Sequence, residues 1–450
     1  MKSVLESKRY QFQLLLSNIS NLSSNELLEF VYNSQFGERK EDVDYFIIDP
    51  LVFAKFRPFS LPIIAKMWEI INKKMIEDEN PIDFPSIIFD YLTKCVIDTK
   101  FKKKSHHYYL IRYLVLNNVL SIDQIYDYLL NVNDMNKNQC LLLYIYTMEF
   151  FNSEKKDQII ANMSKCTYDI SHTGSIVFKI MHNQPIDDLI FELLYFSQKE
   201  SLNYIARYDE VDFLTQYLSV PFIEKNPVVA ISSFEFCSFI RKANPNMIKA
   251  CAYFGSLKCF KQLIMNGVKL IGVETYVSCS GDASLIQFVR NQSITFDNCF
   301  EMVIKHMHIN VLNWIYDEFR NENIITSLTR TMMKIILQKN IIILFPLYFD
   351  FGGDVNEKIL GFPLLFDAII LKNYTIINFL VEYGKIDLKY NDFDLGKPLF
   401  YAFQSGNYDI MFFLLNTAPE MVNDKCVFTM FFHMEFICFK SNTSSLCKYQ

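Results

Sequence analysis

The stretch CAYFGSLKCFKQLIMNG, residues 251–267, sets two glycines twelve residues apart around a run whose apolar positions recur with helical spacing. Glycine ends a helix in the left-handed conformation without a Cβ penalty. Gly255 and Gly267 therefore read as the ends of two short consecutive helices. The chain holds only 12 glycines in 450 residues; Gly37 and Gly174 precede residue 250 and the other ten follow it. The second part is thus punctuated in a way the first is not.

The stretch has echoes. VSCSGDASLIQFVRNQS (277–293), VIKHMHINVLNWIYDEF (303–319), IILQKNIIILFPLYFDFG (335–352), AIILKNYTIINFLVEYG (368–384) and AFQSGNYDIMFFLLNTA (402–418) align on it. The matching positions are Cys251, Val277, Val303, Ile335, Ala368 and Ala402, separated by 26, 26, 32, 33 and 34 residues. Repetition at such a period means a stack of similar units. Each unit predicts a short helix, a turn, and a second helix ending in another turn. Gly255, Gly281 and Gly406 close first helices; Gly267, Gly352 and Gly384 close second ones. Lys339 and Lys372 stand at the first turn of two units, followed by Asn340 and Asn373. The predicted buried faces are Cys259, Phe260, Leu263 and Ile264 in one unit and Ile410, Phe413 and Leu414 in another. A helix of about two turns is not stable alone in water, so neighbouring units must cover it.

Residues 1–200 predict consecutive helices with short polar connections. SLPIIAKMWEIINKKM places Ile63, Ile64, Met67, Ile70 and Ile71 on one stripe, and Pro58, Pro62, Pro81 and Pro85 fall at helix starts and loops. The whole chain reads as all-α, an α-solenoid of stacked helical hairpins. The expected divisions are 1–200, a helical region; 201–320, a divergent module; 321–425, regular repeats; and 426–450, a C-terminal capping segment.

The repeats resemble ankyrin repeats. DLGKPLFYAFQSGNYDIMFFLLNTA, residues 394–418, is similar to the ankyrin pattern through Asp394, Gly396, Pro398, Leu399, Ala402, Gly406, Leu414 and Leu415, and GGDVN at 352–356 resembles the usual end of a unit. The period of 32–34 agrees with the family's value of about 33. Residues 203–319 look like the divergent ankyrin-type module of large protist ankyrin families. The resemblance implies short β-turn fingers, expected only in the C-terminal units because the 26-residue spacings leave no room for them. Phe366 and Phe400 replace the family's first-helix histidine, which implies turns with fewer cross-links between units. It also implies a partner at the finger tips and first helices: Lys389, Asn391, Asp392, Phe393 and Asp394 on the finger, Tyr401 and Gln404 on the following helix.

No signature of a hydrolase, a phosphate loop or a zinc protease is present. His306 and His308, two apart, would point to different faces of a helix, so they are expected as exposed helix positions rather than as zinc ligands. The one basic cluster, KFKKKSHH at 100–107, lacks an aromatic platform and reads as a solvated loop rather than a nucleic-acid site. Cys251 and Cys259 could form a redox pair but read better as small core residues. Eleven cysteines without a CxxC, and an N-terminus without a long apolar core, point to reduced thiols in the cytoplasm or nucleus. A net charge of −6 spread along the chain, with no apolar run of about 20 residues, predicts neither nucleic-acid nor membrane binding. The expectation is a monomeric, cofactor-free, metal-free scaffold or adaptor that binds a partner protein. The alternative is an enzyme or enzyme-recruiting subunit with its site in residues 1–200.

Overall fold

The computed structural model describes residues 8–17, 40–54, 60–94, 105–132, 137–166, 197–232, 237–296, 299–318, 322–339, 341–356, 363–383 and 398–417. Also described are 26, 29–30, 179–180, 184, 187–188, 191, 195, 235 and 358. Among them the regular structure is helical. In chain order the helices are α1 (Lys8–Ser17), α2 (Lys40–Ala54), α3 (Leu61–Glu77), α4 (Phe84–Lys94), α5 (Ser105–Leu116), α6 (Ile122–Leu130), α7 (Lys137–Thr147) and α8 (Ser153–Met163). They continue with α9 (Leu202–Tyr208), α10 (Val211–Ser219), α11 (Ser238–Ala243), α12 (Met247–Phe254), α13 (Leu257–Met265), α14 (Glu274–Ser280), α15 (Ala283–Arg290), α16 (Phe300–Lys305) and α17 (Ile309–Glu318). The last are α18 (Glu322–Lys339), α19 (Phe345–Asp350), α20 (Leu364–Ile370), α21 (Tyr374–Tyr383), α22 (Pro398–Gln404) and α23 (Tyr408–Thr417). None of these helices is long and apolar enough to cross a membrane.

The chain divides into two compact units, Leu15–Phe319 and a second that joins Met1–Leu14 to Arg320–Gln450. In the first unit, α3 packs on α5 and α5 on α7, while α4 packs on α2 and α6 on α8. Trp68, wholly buried, donates its indole N–H to the Phe46 carbonyl at 3.0 Å. α6 and α8 start in the same way. Ser121 and Asn152 cap them by accepting from Asp123 N and Lys155 N, which satisfies one of the orphan amides of each first turn. Side-chain bonds join the two helices at an offset of 32 residues: Lys155 to Asp123, and Asn162 Nδ2 to Leu130 O at 3.3 Å.

From residue 202 the pattern is plainer. The first helices α9, α12, α14 and α16 pack in succession, and the second helices α10 and α13 pack on each other. Ala250, Cys251 and Ala252 on α12 are fully buried. Small side chains there let α9 and α14 approach from either side. On α13 Cys259, Phe260 and Leu263 are buried as expected, whereas Ile264 is half-buried.

In the second unit α20 packs on α22, and each forms a hairpin with its successor, α21 and α23. Ile410, Met411 and Leu414 make the buried face of α23; Phe413 is half-buried. In the same unit Gln13 Oε1 accepts from Ile343 N at 3.2 Å.

Extended pairing is limited to two isolated bridges among the described residues, Val228 with Asn246 and Lys358 with Pro363. The first brackets α11 and is a single bridge rather than a β-turn finger. Val229 N donates to Pro245 O and Met247 N to Pro227 O, each at 2.8 Å. Both acceptors are proline carbonyls, and proline favours the extended backbone that the bridge needs.

Candidate functional site

The turn between first and second helix has one conformation in six hairpins. Asp209, Gly255, Gly281, Met307, Lys372 and Gly406 have φ of 56°, 74°, 67°, 58°, 52° and 72°. Lys339 does not share it: it remains the last residue of the long α18, and Asn340 lies outside the described residues.

The residue after this left-handed position reaches back to the preceding first helix. Ser256 Oγ donates to Ala206 O. His308 Nε2 donates to Cys279 O at 2.8 Å, and Asn407 Nδ2 to Ile369 O at 3.0 Å. Each bond satisfies a carbonyl in the last turn of a helix, where no intrahelical donor remains. Asp209 acts in the forward direction: its carboxylate accepts from Lys258 N at 3.1 Å and Cys259 N at 2.8 Å, capping α13 of the next hairpin. With Phe366 and Phe400 where the ankyrin resemblance implies a histidine, hairpins are cross-linked from a different position.

A polar cluster lies inside the layer of first helices. Arg207 and Glu235 form an ion pair with both side chains fully buried. The guanidinium sits 4.4 Å above the Phe254 ring, and Glu235 Oε1 accepts from Cys237 N at 3.0 Å. Buried charges need such partners, because an isolated one costs far more than folding can offset. Next to the pair, His306 donates from Nδ1 to Met302 O at 2.9 Å. Its Nε2 lies 3.8 Å from Cys237 Sγ. A neutral ring that donates from Nδ1 presents a lone pair at Nε2, which accepts from the thiol. Phe239 and Tyr253 meet the imidazole edge-on, with centroids 6.4 Å and 6.2 Å away. Thiol and imidazole in contact are the parts of a cysteine nucleophile, but burial pushes the Cys237 thiol up, away from the thiolate. Burial does the same to Cys279 and Tyr253.

The opposite property appears on the loop edge of residues 220–272. Phe222 is 107% exposed, Met265 81%, Ile271 70% and Val228 66%. The segments carrying them are tied together. Lys225 Nζ donates to Asn266 O at 3.1 Å, and Asn226 Oδ1 accepts from Ile248 N at 3.0 Å. Lys249 Nζ lies 3.4 Å from where a Cβ on Gly272 would stand.

Of the residues expected to meet a partner, Lys389, Asn391, Asp392, Phe393 and Asp394 lie outside the described residues. Tyr401 is half-buried on α22, its ring 5.6 Å from that of Phe366 on α20. Gln404 is the last residue of the same helix.

The expectations for His306, His308 and His107 need correction. His306 and His308 are not exposed helix positions: they lie in the turn between α16 and α17, His306 is 1% exposed, and each ring is held by protein groups. His107 is not in a solvated loop. It is buried in the first turn of α5, its Nδ1 donating to Leu92 O at 3.3 Å. A polar side chain is buried where a neighbouring carbonyl waits for it, and that partner is distant in sequence. Cys251 and Cys259 are both fully buried free thiols, as core residues should be. Among the described residues no group of three or more His, Cys, Asp or Glu could hold a metal ion.

Sequence reasoning missed the loop edge. Its signal was the set of large apolar residues among turn formers in VPFIEKNPV and MNGVKLIGV. No protein-family model matches this chain, and no curated protein matches it significantly.

Proposed function

We propose that the chain is a non-enzymatic interaction scaffold, an α-solenoid with ankyrin-like repeats that holds a partner protein on its surface. One observation carries this reading. Six hairpins share a left-handed turn at the same place, and three of them send the next side chain to a carbonyl of the preceding first helix. Shared turn geometry and neighbour-to-neighbour bonds are what a repeat array requires, since each unit is stabilised by the units beside it. Such arrays present long, variable surfaces, and the exposed apolar side chains of the 220–272 edge supply binding anchors.

The test is affinity capture of the tagged full-length chain from its source cells, with mass spectrometry. A second arm uses a variant lacking 389–394 and a third the variant Phe222→Ser. A stoichiometric partner protein, reduced in one variant arm, is expected. Turnover of a broad substrate panel by the purified chain overturns the reading.

A further inference from the structure

Resting on the scaffold reading, we propose that the loop edge of residues 220–228 and 265–272 docks an acidic peptide segment of a partner protein, anchored by large apolar side chains. Phe222, Val228, Met265 and Ile271 offer their side chains to solvent. They belong to one surface, because Lys225 joins the first loop to Asn266, Asn226 joins it to Ile248, and Lys249 lies against Gly272. Several large apolar side chains left in solvent on linked segments offer anchors for a partner.

The charge on this edge names the partner's chemistry. Segments 220–228, 246–249 and 265–272 carry Lys225, Lys249 and Lys269 against a single acid, Glu224, with Glu274 two residues further on, in a chain whose net charge is −6. None of the three lysines pairs with a carboxylate among the described residues. Lys225 is spent on a carbonyl, and Lys249 lies 5.7 Å from the centre of the Tyr276 ring. Their charges are therefore not neutralised by a carboxylate partner among the described residues. Carboxylates set between apolar anchors fit it, and such complementarity speeds encounter and fixes register. A second copy would bring lysine against lysine. An anionic bilayer attracts about 1 kcal/mol per lysine, while the rest of this acidic chain repels it.

The experiment selects binders from a phage library of random peptides against the purified full-length chain, then titrates fluorescein-labelled winners by anisotropy. Winners should carry Asp or Glu beside Phe, Leu or Trp. Phe222→Ser should weaken them at least about tenfold. Lys225→Glu with Lys269→Glu should do the same, and affinity should fall as salt rises through about 0.1 to 0.5 M. Phe222 has no packing role to lose, and circular dichroism verifies each variant's fold. Winners without acids, or affinities indifferent to both variants, overturn this edge and leave the scaffold reading standing. Self-association, or binding to phosphatidylserine vesicles, that Phe222→Ser abolishes reassigns the edge and overturns the proposal equally. A library that yields no binder overturns it, and a catalytic chain removes the scaffold reading beneath it.

Discussion

Gly255 and Gly281 occupy the same turn in consecutive hairpins, and replacing each with alanine should not cost the same. Both have positive φ, 74° and 67°, so a Cβ at either strains the backbone by about 1–2 kcal/mol. At Gly255 nothing more is lost: the new Cβ would lie 3.6 Å from Asp282 Cβ, an ordinary contact. At Gly281 it would overlap the His308 imidazole, only 2.6 Å from Cγ and closer still to Nδ1 and Cε1. The ring must swing away, and its bond to Cys279 O goes with it. Leaving that carbonyl unpaired costs about 1–3 kcal/mol. Gly281→Ala should therefore destabilise by roughly 2–5 kcal/mol, against about 1–2 for Gly255→Ala.

Urea unfolding of both variants, followed by helical circular dichroism, reads the gap. The double-mutant cycle sharpens it. In a His308→Ala background there is no ring to displace, so Gly281→Ala should fall back toward its neighbour's cost, a coupling of about 1–3 kcal/mol. Equal costs for the two glycines, with an additive cycle, would refute the claim that His308 bridges adjacent hairpins.

Other outcomes follow from the buried groups. Arg207→Met alone strands the Glu235 carboxylate and should cost about 3–5 kcal/mol, whereas adding Glu235→Leu should recover most of it, as thermal unfolding would show. Burial pushes the Cys140 thiol up to about 12, and Tyr128, Tyr144 and Tyr208 to about 12 as well. These groups stay protonated in the folded chain after they ionise in the unfolded one. The stability they contribute is whole below the unfolded values and is lost as pH rises toward about 12, so the urea midpoint at about pH 10.5 should lie below that at pH 8. In the native chain iodoacetamide should spare Cys140, Cys237, Cys251 and Cys259 while modifying the half-buried Cys166, a pattern that peptide mapping detects.

Turns were legible where glycine marked them. Gly255, Gly281 and Gly406 announce a left-handed backbone because no other residue adopts it so cheaply. Asp209 and Met307 adopt the same conformation without that signature. Asp209 is held there with its carboxylate on the α13 amides, a partner about fifty residues away. The cross-links were illegible for a similar reason. Ser256, His308 and Asn407 share a position but no chemistry beyond an N–H or O–H donor, so no residue-type motif marks them. In residues 1–200 the matched starts Ser121 and Asn152 lie 31 apart. Serine and asparagine both cap well, and that interchangeability concealed the spacing.

The division between what folds this chain and what it can offer a partner follows from these parts. α9, α12 and α14 have 7, 8 and 7 residues, too few to hold their shape in water alone. Their stability must come from neighbours, and every contact that supplies it points inward or sideways: small residues on α12, the Arg207–Glu235 pair, the donors that follow each turn. The loops that join one hairpin to the next need only to reverse the chain, which Gly267 and Gly272 do with positive φ. Phe222 and Ile271 on those loops, and Met265 at the end of α13, stay in water in the folded and the unfolded chain alike, so their apolar area adds little to folding. Large apolar residues at these places are therefore a part of the sequence that the packing of the hairpins does not require.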